Sequence, residues 1–300
     1  MHIFRERRLQ TFLQNYQNRA RLLISCPDQL GIVAAVTSFL YEQGANIVES
    51  SQYSTDPQGG TFFLRIEFDC PDMTAKKAEM EKEFAKIAET FEMKWRLSLH
   101  NDLKKMAIFV SKEEHCLLEL LWEWEAGELL ADIAFVISNH EHMRESVEAL
   151  GIPYYYIPVT KEGKNEAERK QIALLKEHKV DTIVLARYMQ ILTPAFVAEF
   201  PFQIINIHHS FLPAFIGARP YEQAYRRGVK LIGATSHYVT DDLDEGPIIE
   251  QDVARVDHRY HPEDLKRVGR IIEKTVLARA LKWHLEDRVI IHENKTIVFS

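Results

Sequence analysis

Asn206, His208 and Asp244 put an amide, an imidazole and a carboxylate within reach of one strand end. The run Gln203-Ile204-Ile205-Asn206-Ile207-His208-His209-Ser210 is apolar and β-branched before it turns polar, as a buried parallel strand does where it empties into a polar mouth. Strand side chains repeat every second residue, so Asn206 and His208 share a face. By the same alternation His209 is expected to point away. Open α/β sheets bind ligands beyond the carboxyl ends of their strands. A second strand-like segment, Thr235 to Thr240, runs into an acidic turn that can return Asp244 to the same mouth. An amide is a fixed donor for a developing oxyanion, and imidazole takes up and returns protons near neutral pH. A carboxylate can orient water or hold the imidazole tautomer. Taken singly, each of these residues is also ordinary strand-end or turn chemistry.

Those elements belong to the second of two units. After the polar linker 100-105, apolar runs Met106 to Val110, Ile133 to Ile137, Tyr154 to Val159, Thr182 to Ala186 and Gln203 to Ile207 alternate with helical patterns. Helices are expected over Glu114 to Ala126, His140 to Leu150, Glu166 to His178 and Pro194 to Phe200, with a last one from Pro262 to about His284. Such alternation predicts a parallel sheet with right-handed crossovers over 106-300. Residues 20-99 read instead as βαββαβ, a ferredoxin-like order, with Asp28 expected to cap the first helix and a hairpin turn at Asp56 to Gly60.

Asn206-Ile207-His208-His209-Ser210-Phe211-Leu212-Pro213, with His237 and Asp244-Glu245-Gly246-Pro247, resembles the signature of the formyltransferase family, whose enzymes handle 10-formyltetrahydrofolate. The likeness covers about residues 104 to 288. Within the family it looks most like the formyltetrahydrofolate deformylases, which hand the formyl group to water. It implies a Rossmann-like, mostly parallel-sheet formyltransferase domain with Asn206, His208 and Asp244 as its catalytic residues. It also places Arg187, Met189, Gln190, Ile191 and Leu192 along the pterin ring, with Val239 and Thr240 at the other wall. Arg219, in the loop from Gly217 to Tyr221, either meets the folate glutamate carboxylates or stands as a solvated cation. Over about 20 to 98, Asp28-Gln29-Leu30-Gly31 and Gly44-Ala45-Asn46 resemble an ACT regulatory domain. That likeness implies an amino-acid effector held by Asp28, Gln29, Leu30, Gly31 and Asn46, and a homo-oligomer, dimer or tetramer.

The loop Ser111-Lys112-Glu113-Glu114-His115-Cys116 holds no glycine. Glycinamide ribonucleotide transformylases have a phosphate-holding glycine turn at this point. Here Ser111 and Glu114 fit a capping box and two carboxylates repel phosphate, so the acceptor site looks deleted unless phosphate is held elsewhere. Two rivals stay open: a formyltransferase to glycinamide ribonucleotide and a non-catalytic folate or amino-acid sensor.

Composition narrows the class. Thirty-seven Lys plus Arg against 44 Asp plus Glu give a formal charge of -7, which argues against a broad nucleic-acid surface. Cys26, Cys70 and Cys116 are odd in number and widely spaced, which suggests neither disulfides nor zinc and fits a reducing cytoplasm. No apolar run reaches the ~20 residues of a membrane span. His258 and His261 lack companion ligands, so no metal is assigned, and no cofactor is expected. Trp122 and Trp124 read as packing residues. Residues 1-19, with Arg5, Arg7, Arg8 and Arg19, read as a solvated, partly ordered extension.

Overall fold

The computed structural model describes residues 2–56, 59–214 and 219–300, with side chains from residue 5 onward. The expected extension is instead a helix, α1 (His2–Asn15). Arg5 lies over the Trp124 ring at 3.5 Å, and the Arg8 guanidinium donates to the Ala126 carbonyl at a helix end. Long arginine stems cover apolar surface while their heads find carbonyls, a form of docking that leaves little apolar periodicity to read. Trp124 is buried, whereas Trp122 is exposed.

The first domain is an antiparallel sheet with two helices on one face. In chain order it runs β1 (Arg19–Pro27), α2 (Ile32–Glu42), β2 (Asn46–Ser54), β3 (Thr61–Asp69), α3 (Met73–Thr90) and β4 (Lys94–Leu99), with strand order β2-β3-β1-β4. Ile32, Val36, Phe39 and Leu40 on α2 pack with Leu22, Leu64, Ile66 and Phe68. Asp28 does not cap α2. Gly31, at φ 94°, takes the cap position, and the Asp28 carboxylate accepts from the Ser54 hydroxyl instead. The left-handed turn at Gly31 carries Asp28 away from the first helical amides. Pro57 and Gln58 of the expected hairpin turn lie outside the described residues.

The second domain holds a seven-stranded sheet. Its elements are β5 (Lys105–Val110), α4 (His115–Ala126), β6 (Asp132–Ser138), α5 (Arg144–Glu148), β7 (Tyr154–Tyr156), α6 (Lys164–Glu177), β8 (Thr182–Ala186), α7 (Pro194–Glu199), β9 (Ile204–His208), α8 (Pro220–Arg227), β10 (Leu231–Tyr238) and β11 (Ile248–Arg255). α9 (Pro262–Leu285) and the hairpin β12 (Val289–His292) and β13 (Lys295–Val298) follow. The order is β11-β10-β9-β8-β5-β6-β7. Strands β5 to β9 pair in parallel, while β10 runs antiparallel to both neighbours. β11 and the hairpin are additions to the sequence reading; their half-exposed patterns give no long apolar run. α5 and β7 are shorter than expected.

β3 is buried along almost its whole length because its second face packs on the other domain. Arg65, 0% exposed, reaches from β3 to the carbonyls of Glu286 and Asp287 at the end of α9. Asp287 is 3% exposed and accepts from Lys104 Nζ at 2.6 Å, Arg96 Nη2 at 2.5 Å and Ser98 Oγ at 2.7 Å. Lys104 of the linker is therefore part of a buried ionic junction. Next to it His284 meets the Tyr238 hydroxyl at 2.8 Å and the Thr182 hydroxyl at 3.0 Å.

Burial, with Lys104 nearby, holds the His284 imidazole down to about 3. Burial, with Arg21 nearby, holds His100 to about 4. Both titrate near ~6.5 in an unfolded chain, so on acidification below that value the unfolded state takes up protons that the folded state refuses. Stability is therefore expected to be full above pH ~6.5 and to fall as pH drops toward these lower values. Urea denaturation at pH 7 and pH 5 checks this; an unchanged midpoint would remove both histidines from the account.

Candidate active site

β9 ends at His208, and Asn206 stands opposite His237 in the antiparallel register with β10. Directly opposed residues on such a pair hold their side chains close. Asn206 Nδ2 lies 3.2 Å from His237 Nε2, and His237 Nδ1 lies 2.9 Å from the Tyr238 carbonyl. A carbonyl can only accept, so Nδ1 carries the proton and neutral His237 accepts from the Asn206 amide through Nε2. This bond fixes which end of the Asn206 side chain is the donor.

The loop between β10 and β11 brings Asp244 back to the strand end. Its Oδ2 is 3.2 Å from His208 Nδ1, and its Oδ1 is 3.7 Å from His237 Nε2. Burial opposes ionisation of Asp244, but the neighbouring His208 and His237 outweigh it and hold the carboxyl well below its usual range. Asp244 adopts φ 59°, and two residues later a Cβ on Gly246 would sit 1.9 Å from the Tyr238 carbonyl oxygen. That close approach requires glycine. With Nδ1 turned to Asp244, the buried His208 Nε2 has no hydrogen-bond partner among the described residues.

His209 does not point away as alternation predicts. The strand stops at His208, so the period of two no longer applies, and His209 lines the same cavity with its ring centroid 5.2 Å from that of His208. Burial, reinforced by Arg187, lowers the His209 imidazole to about 3 and keeps it neutral at pH 7.

The cavity measures about 470 Å³ and holds Asn206, His208, His237 and Asp244 at its polar end. Met189, Gln190, Ile191 and Leu192 line it, with Val239 and Thr240 also on its wall. Met189 and Ile191 are 53% and 62% exposed, apolar surface open to a ligand. Arg219, exposed at the start of α8, borders the cavity, whereas Gly217 and Ala218 lie outside the described residues. A second cavity, of about 600 Å³, lies at the domain junction beside Arg96 and His284 and contains none of the four polar groups. Asp28, Gln29, Leu30, Gly31 and Asn46 stay in the first domain and border neither cavity, with Leu30 98% exposed.

Other side chains hold the wall in place. The expected capping box at Ser111 and Glu114 is absent: Ser111 donates to Asn139 and accepts from the Met189 amide, so it anchors the cavity wall rather than the helix. Glu168 on α6 accepts from the Thr193 amide and hydroxyl, and Gln171 donates to the Tyr188 hydroxyl. Buried polar residues in α6 are the signal that sequence reading passed over. Glu113 pairs with Lys266 and Arg270 on α9.

Glu273, 1% exposed on α9, accepts from His115 Nε2 at 2.8 Å and from the Tyr221 hydroxyl. Gly269 makes this possible, since a Cβ there would lie 1.9 Å from the Tyr221 oxygen. Burial opposes ionisation of Glu273, but these bonds and the Arg187 charge hold its carboxyl at about 2. His115, Cys116 and Glu273 bring three ligand-type atoms within 4.8 Å of one another. Burial raises the Cys116 thiol, and the Arg187 guanidinium stands 3.3 Å from Glu273. Both disfavour a cation, so no metal is assigned.

Residues 104–281 match the formyl transferase family and residues 20–85 the ACT domain. The chain is 63% identical over 300 residues to the formyltetrahydrofolate deformylase of Bacillus subtilis (strain 168), covering 100% of both. It is 48% identical, with TM-score 0.90, to the crystal structure of a formyltetrahydrofolate deformylase from Pseudomonas syringae pv. tomato, covering 99% of this chain and 100% of that one. A glycinamide ribonucleotide transformylase from Symbiobacterium toebii is more distant, at 28% identity and TM-score 0.62 over 66% of this chain and 95% of its own.

Proposed function

This chain belongs to the formyltetrahydrofolate deformylase family, and on that premise we propose that it hydrolyses 10-formyltetrahydrofolate to formate and tetrahydrofolate. The observation that carries the mechanism is the His208–Asp244 pair at 3.2 Å, with His208 Nε2, unpartnered among the described residues, and Asn206 in one cavity. Water attacks the formyl carbon as His208 Nε2 takes its proton, and Asp244 stabilises the imidazolium that forms. The Asn206 amide donates to the oxyanion of the tetrahedral intermediate. His208 then returns the proton to the departing nitrogen, the C–N bond breaks, and formic acid ionises to formate with its proton released to solvent. Water is the sole co-reactant, so no cofactor is proposed.

The loop after β5 supports water over a phosphorylated acceptor. Ser111 and Glu113 are tied to protein partners, and no glycine offers its amides to phosphate. No helix among the described residues is long and apolar enough to cross a membrane, which agrees with a cytoplasmic enzyme supplying formate to purine and one-carbon metabolism. Exposed Val48 and Tyr53 on the edge strand β2, with exposed Leu30 and Tyr41 elsewhere on the first domain, support a homo-oligomer. The ACT-like domain supports an amino-acid effector.

Product analysis tests the reading. With 10-formyltetrahydrofolate as sole substrate, formate and tetrahydrofolate are expected in equal amounts. Turnover that appears only when glycinamide ribonucleotide is added would reassign the chain as a transferase.

A further inference from the structure

The pterin segment begins with Arg187, yet this side chain does not share the exposure of its neighbours. Arg187 is 8% exposed, against 53% for Met189 and 62% for Ile191. Its backbone sits at φ 63°, a left-handed conformation that arginine seldom adopts. Such an outlier at the edge of a cavity is a reason to ask what the side chain is held there to do.

Arg187 lines the cavity together with Asn206, His208 and His209. Glu273 lies 3.3 Å from its Nε and neutralises its charge, but the angle is too poor for a hydrogen bond. Glu273 already accepts from His115 and Tyr221. Nε and Nη1 of Arg187 therefore remain buried without a hydrogen-bond partner among the described residues. A buried donor left unmade is costly, so these groups are to be satisfied by what enters the cavity. The Nε edge faces the Glu273 carboxylate, whereas Nη1, on the opposite side of the planar guanidinium, offers a free charge-assisted donor to an oxygen of a small anion.

We infer that Arg187, backed by Glu273, forms a subsite for the carboxylate of the formate product, beside the carbon attacked by water. The inference rests on the deformylase reading and adds to it a role for Arg187 apart from the folate wall. When the C–N bond breaks, the former formyl carbon carries two oxygens, one from the substrate and one from water. Loss of its proton gives an anion of three heavy atoms that can leave Asn206 and His208 for the free Arg187 donor. Acetate carries one more carbon and must fit it beside His209, which lines the same cavity.

Titration of [13C]formate into the full-length protein without any folate tests the subsite independently of turnover. The formate resonance is expected to broaden with wild type, and acetate is expected to compete at least about 10-fold more weakly. Arg187→Met should weaken formate binding roughly 10- to 100-fold, the range of a lost charge-assisted pair. Arg187→Lys, which keeps the charge but not the fixed planar placement of the Nη1 donor, should fall between. The double variant Arg187→Met with Glu273→Gln avoids leaving a buried carboxylate without its cation, so it reports on the subsite even where the single variant folds poorly. Equal broadening in wild type and variants, or none in wild type, would overturn the inference. Absence of 10-formyltetrahydrofolate hydrolysis by wild type would instead strike the functional reading, and the formate titration would still decide the subsite.

Discussion

Asp244→Asn is expected to lower turnover by roughly 10²- to 10⁴-fold while leaving the fold and folate binding intact. Asparagine tolerates the left-handed φ of 59° that Asp244 adopts, so the turn has no reason to move. What changes is charge. The carboxylate lies 3.2 Å from His208 Nδ1 and 3.7 Å from His237 Nε2, and it stabilises the imidazolium formed as water is deprotonated. An amide cannot do this, and its NH₂ group can impose the opposite His208 tautomer. The loss should fall on kcat with little change in KM, because the interaction strengthens only in the transition state. Asn206→Ala provides a scale of about 10²- to 10³-fold for one oxyanion donor. His209→Ala should cost less than His208→Ala, since His209 faces the cavity but does not touch Asp244. Near-normal kcat for folded Asp244→Asn would remove the carboxylate from the mechanism.

Asp287→Ala is expected to destabilise the whole chain by about 3–5 kcal/mol, the usual result of removing one partner of a buried ionic cluster. Asp287 is 3% exposed, and its loss strands Lys104 and leaves Arg21, 3.7 Å away, with one fewer counter-charge, while half-exposed Arg96 can turn to water. Burial opposes its ionisation, but Lys104 and Arg96 outweigh it and hold the carboxyl well below its usual range. That contribution is present above the unfolded value near ~3.9 and is lost as pH falls through the lower folded one. Urea denaturation at pH 7 measures the change; a shift under about 0.5 kcal/mol would mean that water compensates the stranded cations. The same geometry bears on any fragment beginning near Leu103. It would leave Asp287 with Lys104 but without Arg96, Ser98, Arg21 or the Arg65 bonds to the end of α9.

The sequence by itself determined the strand end that carries Asn206 and His208, because apolar β-branched residues and a period of two encode both the element and its inner face. The βαββαβ order of the first domain and the alternation of the second were legible for the same local reason. Local reasoning failed wherever a partner came from far along the chain or where an element stopped. His209 turned into the cavity because β9 ends one residue before it. Asp28 left the helix cap to Gly31, and Ser111 left it for Asn139 and Met189. Residues 2–15 docked through arginine heads that carry no apolar period. The tertiary structure alone decided that Asp244 also faces His237, that Glu273 on α9 stands behind Arg187, and that the cations of the first domain close on Asp287. Such pairings depend on which strands and helices the topology sets side by side, and side-chain periodicity records the face of an element but not the neighbour that will cover it.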